Sequence, residues 1–229
     1  MTPSVAILAG GMATRLGSLS QNTPKILLEV AGRPFLSHQL EWLANQGIKD
    51  VVMCVDHLGS QIEEYVKEND TFGIKVILSY DDKLGTGGAI KKALPLLSHR
   101  FVVLYGDTYL EPCILNMVKT LRDSKLSDAL MAVYHNKDKW DKSNIILSEN
   151  KVIQYDKFNP TPDMEYIDYG MGFLCKNIFE NQPESFDLAD LYRKLVAEGN
   201  MAGYEAKERF YEIGSIEGLK ETSEYLENK

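Results

Sequence analysis

Short apolar runs alternate with helix-period segments along the first hundred residues. Residues 4–9 (SVAILA), 50–55 (DVVMCV), 74–80 (IKVILSY) and 100–106 (RFVVLYG) are compact apolar runs that read as strands buried on both faces. Between them, residues 35–47 (FLSHQLEWLANQG) place Phe35, Leu36, Leu40 and Leu43 on one side of a helix that Gly47 ends. Residues 60–69 (SQIEEYVKEN) and 87–97 (GGAIKKALPLL) read as two further helices. Strands joined by helices of this length imply βαβ units and a mostly parallel sheet, doubly wound in the Rossmann-like manner.

After Asp107 the pattern changes. Residues 112–124 are helical, but 128–135, 144–149, 151–156 and 166–175 are β-like segments joined by short polar turns. A helix resumes at 187–199, with Asp187 as N-cap, Gly199 as stop and Leu188, Leu191, Leu195 and Val196 as its core stripe. A short strand at 209–214 and a polar helix at 215–229 complete the chain. Residues 159–163, with two prolines, form the most loop-like stretch, and no repeat or low-complexity segment is present. The expected organisation is one α/β domain over 1–229. Residues 1–110 form a nucleotide-binding half, and 111–229 a β-rich half with the C-terminal helices.

Composition adds limits. The 229 residues are 44% hydrophobic and 25% charged, enough for a sizeable core. A net charge of −8 argues against tracking of nucleic-acid phosphates, though a few local cations can still hold an anionic small ligand. Cys54, Cys113 and Cys175 are far apart, and the first and last sit in apolar runs as reduced, buried thiols. No apolar run reaches the roughly 20 residues of a membrane span, and no basic stretch precedes the first one. A cytoplasmic protein without membrane partners is expected.

Residues 5–17 (VAILAGGMATRLG) end a strand in Gly10-Gly11 and then present Arg15. Ligands of open parallel sheets bind outside the carboxyl ends of strands. Glycines there bring backbone N–H groups close to an anion, and the guanidinium fork matches phosphate oxygens. The pattern is neither a Walker loop nor G-x-G-x-x-G. Lys25 follows Thr23-Pro24, residues 84–90 (LGTGGAI) open a helix at the same edge, and Asp107 stands just past a buried strand. The first two suit phosphate and base, the last a hard cation such as Mg²⁺. Taken singly, these residues fit a tight turn, a surface lysine, a helix start and a turn aspartate equally well. His38, His57, His99 and His135 lack partner spacing and are expected to be non-catalytic.

The order LAGGMATRL (8–16), TPKILLEVAGRPFLSHQLEWL (23–43), LGTGGAIKKAL (84–94) and LYGDTYL (104–110) resembles the sugar-1-phosphate nucleotidyltransferase family. Weaker matches at 155–157 (YDK), 168–173 (DYGMGF) and 210–219 (FYEIGSIEGL) extend it over nearly the whole chain. The resemblance is to the short single-domain branch with its GT-A-like fold, and most of all to heptose and mannose 1-phosphate guanylyltransferases. It implies transfer of a nucleotidyl group from an NTP to a sugar 1-phosphate with release of pyrophosphate, Mg²⁺ as cofactor, and a preference for GTP.

The resemblance also assigns roles. Arg15, Lys25 and Asp107 would carry the chemistry. Ala9, Gly10, Gly11, Met12, Thr14, Arg15 and Lys25 would hold the triphosphate, and Gly85 and Gly88 the base. Gly106, Asn144, Asp156, Lys157 and Gly170 would line the sugar-phosphate site, with Asp156-Lys157 matching the family's Glu-Lys pair. Asp107 and Glu212 would hold the metal. Two departures stand out: Ala13 where the family has glycine before Thr-Arg, and Glu212 where it has aspartate. Residues 140–145 (WDKSNI) and 208–214 would border the acceptor, and the apolar later β segments offer a surface for a homodimer. Other readings remain: a cytidylyl- or uridylyltransferase, action on a non-sugar phosphate, or a non-catalytic nucleotide-sugar sensor.

Overall fold

In the computed structural model, residues 2–11, 16–17, 21–56, 58–110, 114–123 and 128–229 are described. The chain begins with β1 (Ser4–Leu8), a 3-10 turn at Lys25–Leu27 and a small hairpin of β2 (Glu29–Val30) and β3 (Arg33–Pro34). Helix α1 (Phe35–Asn45), β4 (Asp50–Val55), α2 (Gly59–Glu68), β5 (Lys75–Tyr80), α3 (Gly85–Ala93) and β6 (Arg100–Tyr105) follow. The four long strands pair in parallel in the order β5-β4-β1-β6, with Val5 opposite both Val51 and Val102. This is the βαβ arrangement that the alternating pattern predicts.

Strand alternation divides the core. Val5 and Ile7 face a cluster with Phe35, Leu36, Leu40 and Leu43 of α1. Ala6 and Val52 face the opposite layer, with Ala89, Ile90 and Ala93 of α3. The residues expected on the apolar side of α1 are therefore core residues, each of which contributes roughly 1.5–3 kcal/mol by burial. Gly47 ends α1 with φ +78, where its N–H donates to Ala44 and that of Ile48 to Leu43.

The second half extends the same sheet. It comprises β7 (Thr108–Tyr109), α4 (Ile114–Asp123), β8 (Ala129–His135), β9 (Ile145–Ser148), β10 (Lys151–Tyr155) and β11 (Tyr166–Cys175). Helix α5 (Leu188–Ala197), β12 (Ala202–Ala206), β13 (Tyr211–Glu212) and α6 (Ile216–Glu227) complete it. Strand β11 runs antiparallel to β6 and β8 lies beyond it, giving nine strands in the order β5-β4-β1-β6-β11-β8-β12-β10-β9. Beyond β6 the pairing is largely antiparallel, so the β-rich elaboration is a continuation of the parallel sheet.

One strand lies outside the sequence reading, and one expectation needs correction. Residues 202–206 (AGYEA) form β12, a buried strand parallel to β8, although no apolar alternation marks them. Small residues are required there: a Cβ on Gly203 would lie 2.2 Å from Leu147 Cδ1. Asp187 stands at the N-cap of α5 but does not cap it with its side chain. The cap comes from Thr86 of α3, whose Oγ1 accepts from the Leu188 N–H at 2.8 Å while donating to Asp187. The stripe of Leu188, Leu191, Leu195 and Val196 is buried as expected. Among the described residues no helix is long and apolar enough to cross a membrane.

Candidate active site

The carboxyl ends of β1 and β6 meet. The Gly106 N–H donates to the Leu8 carbonyl at 3.0 Å, and a Cβ on Gly106 would lie 2.6 Å from that oxygen. Glycine at 106 is thus a packing requirement, one that lets the turn bearing Asp107 close against the start of the glycine loop. Ala9 is tied to the end of β4 through the Cys54 carbonyl, and Gly11 is exposed with open space beside it. Met12, Thr14 and Arg15 of the expected phosphate cradle, and Ala13 with them, lie outside the described residues.

Asp107 is held from several sides. Buried Gln39 of α1 donates to the Tyr105 and Thr108 carbonyls at 3.2 and 2.8 Å, bracketing Gly106-Asp107. The Ile213 N–H donates to the Asp107 carbonyl at 2.9 Å. Lys25 arrives on a 3-10 turn that begins after Pro24 and is anchored by buried Ile26. Its ammonium lies 2.8 Å from Asp107 Oδ2. Lys25 and Asp107, 82 residues apart in sequence, are thus brought into contact.

Asp107 suits a hard cation. Its carboxylate stands at a strand end, is 31% exposed, holds one cation on Oδ2, and accepts from the Thr108 hydroxyl on Oδ1. The Glu212 carboxylate is engaged by neighbouring donors. One of its oxygens accepts from the Gly214 N–H and the other from Ser215 Oγ, so it serves the start of α6. The Glu212 backbone pairs with Thr108, so the residue stands beside Asp107. Among the described residues no three His, Cys, Asp or Glu side chains converge as a metal site.

A second cluster adjoins the first. Five residues of β11, Asp168 to Gly172, span the same stretch as three of β8, Val133 to Met131, so β11 bulges. Gly170 sits in that bulge at φ +82, and a Cβ there would meet Thr108 Oγ1 at 3.0 Å. The bulge therefore lies against the Asp107-Thr108 turn and aims Asp168 inward. Asp168 Oδ2 accepts from the Tyr105 hydroxyl at 2.9 Å and pairs with the Lys157 ammonium at 3.0 Å. Its Oδ1 accepts from the Gly170 N–H, and its own N–H donates to Asn144 Oδ1. Burial pulls the Lys157 ammonium down, but the Asp168 carboxylate and the Tyr155 phenol outweigh it and hold Lys157 above its ordinary range. Burial, and then Asp168, push the Tyr105 phenol well up, so it stays a proton donor.

Of the expected Asp156-Lys157 pair, only the lysine enters this cluster. The Asp156 carboxylate accepts from the N–H groups of Asn159 and Phe158, which lower its pKa as it closes its own turn. The carboxylate that pairs with Lys157 is that of Asp168. Its signal in the sequence was a lone acid in the otherwise apolar and glycine-bearing run of β11. Asn144 contributes through the Asp168 backbone and by accepting the Asp156 N–H.

The glycines expected to admit a base have another task as well. The Gly87 and Gly88 N–H groups donate to the Phe186 carbonyl, and a Cβ on Gly88 would lie 2.4 Å from the Glu184 oxygen. Gly85 has φ +76 and the same crowding against Phe186. Close docking of residues 184–187 on α3 demands these glycines. The expected border segments do meet: the Arg209 guanidinium lies 3.4 Å over the Trp140 ring and pairs with Glu221. Cys54 and Cys175 are buried free thiols, and burial pushes Cys54 up to about 12. His38 is bonded to the Val30 carbonyl, His99 contacts Cys175, and His135 pairs with Glu165. Cys113 and His57 lie outside the described residues.

Against known proteins, the model of the nucleotidyl transferase family matches residues 4–229. A D-glycero-alpha-D-manno-heptose 1-phosphate guanylyltransferase from Campylobacter jejuni is 34% identical over 83% of this chain and 87% of its own length. An N-acetylmuramate alpha-1-phosphate uridylyltransferase from Caulobacter vibrioides is 24% identical over 93% of this chain and 92% of its own. The crystal structure of HddC from Yersinia pseudotuberculosis complexed with GMP-PN superposes with a TM-score of 0.83. The two are 27% identical, over 98% of this chain and 100% of that one.

Proposed function

This chain belongs to the nucleotidyl transferase family, and on that footing we propose that it is a sugar-1-phosphate nucleotidyltransferase that makes an NDP-sugar and pyrophosphate. The carrying observation is the contiguity of two lysine–carboxylate pairs at one sheet edge. Lys25 lies against Asp107, and Lys157 against Asp168, with Tyr105, Thr108 and Gly170 between them. One cluster suits the triphosphate and the other the sugar phosphate.

The sugar phosphate oxygen is already anionic at neutral pH, since a phosphate monoester has its second pKa near ~6. It attacks the α-phosphorus, a P–O bond forms, and the bond to pyrophosphate breaks in line, with no general base required. The obstacle is the approach of two polyanions. Lys25 offsets charge on the triphosphate, and Lys157 holds the acceptor phosphate in place. Arg15 belongs with Lys25 in this scheme on the strength of the sequence alone. Asp107 would hold Mg²⁺, which when bound offsets charge on the departing pyrophosphate.

The 34% identity to a guanylyltransferase supports GTP as donor and a manno-heptose or hexose 1-phosphate as acceptor. The experiment is pyrophosphate release with Mg²⁺ across GTP, CTP, UTP, ATP and dTTP against a panel of sugar 1-phosphates. Release restricted to GTP and one such sugar supports the reading. Restriction to another NTP overturns the guanylyl preference, and silence with tight NTP binding makes the chain a sensor.

A further inference from the structure

We propose that Asp168 is a positioning residue for the acceptor: its carboxylate fixes the Lys157 ammonium and so sets the binding of the sugar 1-phosphate. The inference rests on the sugar-phosphate role given to Lys157 above.

Asp168 is built in from every side. Its side chain is 3% exposed, in a strand that is otherwise apolar. Three donors meet it: the Gly170 N–H on Oδ1, and the Tyr105 hydroxyl and Lys157 ammonium on Oδ2. Asn144, on the neighbouring strand edge, accepts its backbone N–H and pins the bulge that aims it. A carboxylate so buried is too costly to leave unpaired, so Lys157 stays on it.

The lysine gains a defined place. A free lysine carries its charge on a flexible four-carbon stem and loses rotamer freedom when it grips a phosphate. Here that freedom is already spent. One N–H points to Asp168, another lies 3.4 Å from the Tyr105 oxygen, and the Tyr105 ring centroid is 5.1 Å from the ammonium. The Tyr155 phenol also adjoins the ammonium, so its polar surroundings are set before a ligand arrives. Lys157 keeps one-third of its side chain exposed, so a phosphate can reach it where Asp168 cannot be reached. Asp168 thus acts through Lys157 without touching substrate.

Steady-state kinetics on the wild type, Asp168→Asn, Lys157→Ala, the double variant and Tyr105→Phe test this. Asp168→Asn keeps the shape and removes the charge. It should raise KM for the sugar 1-phosphate about tenfold or more, with KM for the NTP within about twofold of wild type. The double variant should lose no more than Lys157→Ala alone. Tyr105→Phe removes one bond to Asp168 and should shift the same KM the same way by less. Multiplying effects in the double variant, or equal rises in both KM values, would overturn the proposal. If Asp168→Asn does not fold, an unchanged sugar-phosphate KM in Tyr105→Phe overturns it. Wild-type silence with every sugar 1-phosphate defeats the proposed reaction instead. The pair is then read by the Lys157 ¹³Cε resonance, which must titrate at lower pH in Tyr105→Phe or Asp168→Asn than in wild type. Identical titration in both variants would end the positioning role without reference to activity.

Discussion

The Lys25 ammonium rests 2.8 Å from Asp107 Oδ2, across 82 residues of sequence. The pair is only partly buried, at 17% and 31% side-chain exposure, so by itself it is worth about 1 kcal/mol or less. Its placement at the carboxyl ends of β1 and β6 gives it a chemical meaning that its small contribution to stability does not.

Lys25→Ala should therefore separate chemistry from folding. Turnover is expected to fall on the order of 10²–10³, as when other preorganised electrostatic contacts are removed. The melting temperature should move by only a few degrees. Parallel pyrophosphate-release and thermal-melt measurements check this, and a large loss of stability with turnover intact would refute it.

Asp107→Asn should act through the cation. The Mg²⁺ concentration giving half-maximal rate is expected to rise at least about tenfold, because one hard oxygen charge is removed. A magnesium titration of the rate decides it. An unchanged titration curve would take the metal away from Asp107.

Glu212→Gln should behave differently, since both carboxylate oxygens accept from Gly214 and Ser215, just ahead of α6. Loss of the charge near the helix N-terminus should cost about 0.5–1 kcal/mol. The magnesium dependence should be that of wild type. A shift as large as that of Asp107→Asn would restore Glu212 as a ligand.

Gln39→Leu tests how the Asp107 turn is held. Two carbonyls, those of Tyr105 and Thr108, would lose their donor, at about 1–3 kcal/mol for each one left unsatisfied. The turn should also loosen, so kcat should fall even where the protein remains fully folded. Denaturant unfolding and kinetics on one preparation read both effects. Full activity in a folded Gln39→Leu would show that the turn holds itself.

Much of this was legible in the sequence, for identifiable reasons. The buried runs of β1, β4, β5 and β6 and the stripe of α1 are strong periodic signals, and the structure has them where the pattern puts them. Lys25 and Asp107 are singled out by the order of the motifs around them, since each taken alone reads as a surface lysine or a turn aspartate. Strand β12 is not so marked, because residues 202–206 carry no apolar alternation and its Gly203 lies close against Leu147. Adjacency in the chain puts Asp156 and Lys157 together at the sugar-phosphate site but names no ion-pair partner for Lys157. The β11 bulge, which only the strand register reveals, gives that partner as Asp168. The same limit hid the second task of Gly85 and Gly88, whose crowding comes from a segment about a hundred residues away.

Gly88→Ala follows from that crowding. The added methyl meets the Glu184 carbonyl, so overpacking of about 1–3 kcal/mol is expected to lower the melting temperature. The shift should appear without nucleotide present. A normal melting temperature with a raised KM for the NTP would return Gly88 to a purely base-contacting role.

The most direct test of the central claim is ³¹P NMR of the purified protein with GTP, Mg²⁺ and D-glycero-α-D-manno-heptose 1-phosphate. Nucleotidyl transfer predicts loss of both substrate signals and growth of a coupled diphosphate pair alongside pyrophosphate in equal amount. Nucleoside diphosphate with inorganic phosphate, or unchanged spectra in the presence of measurable GTP binding, would contradict it.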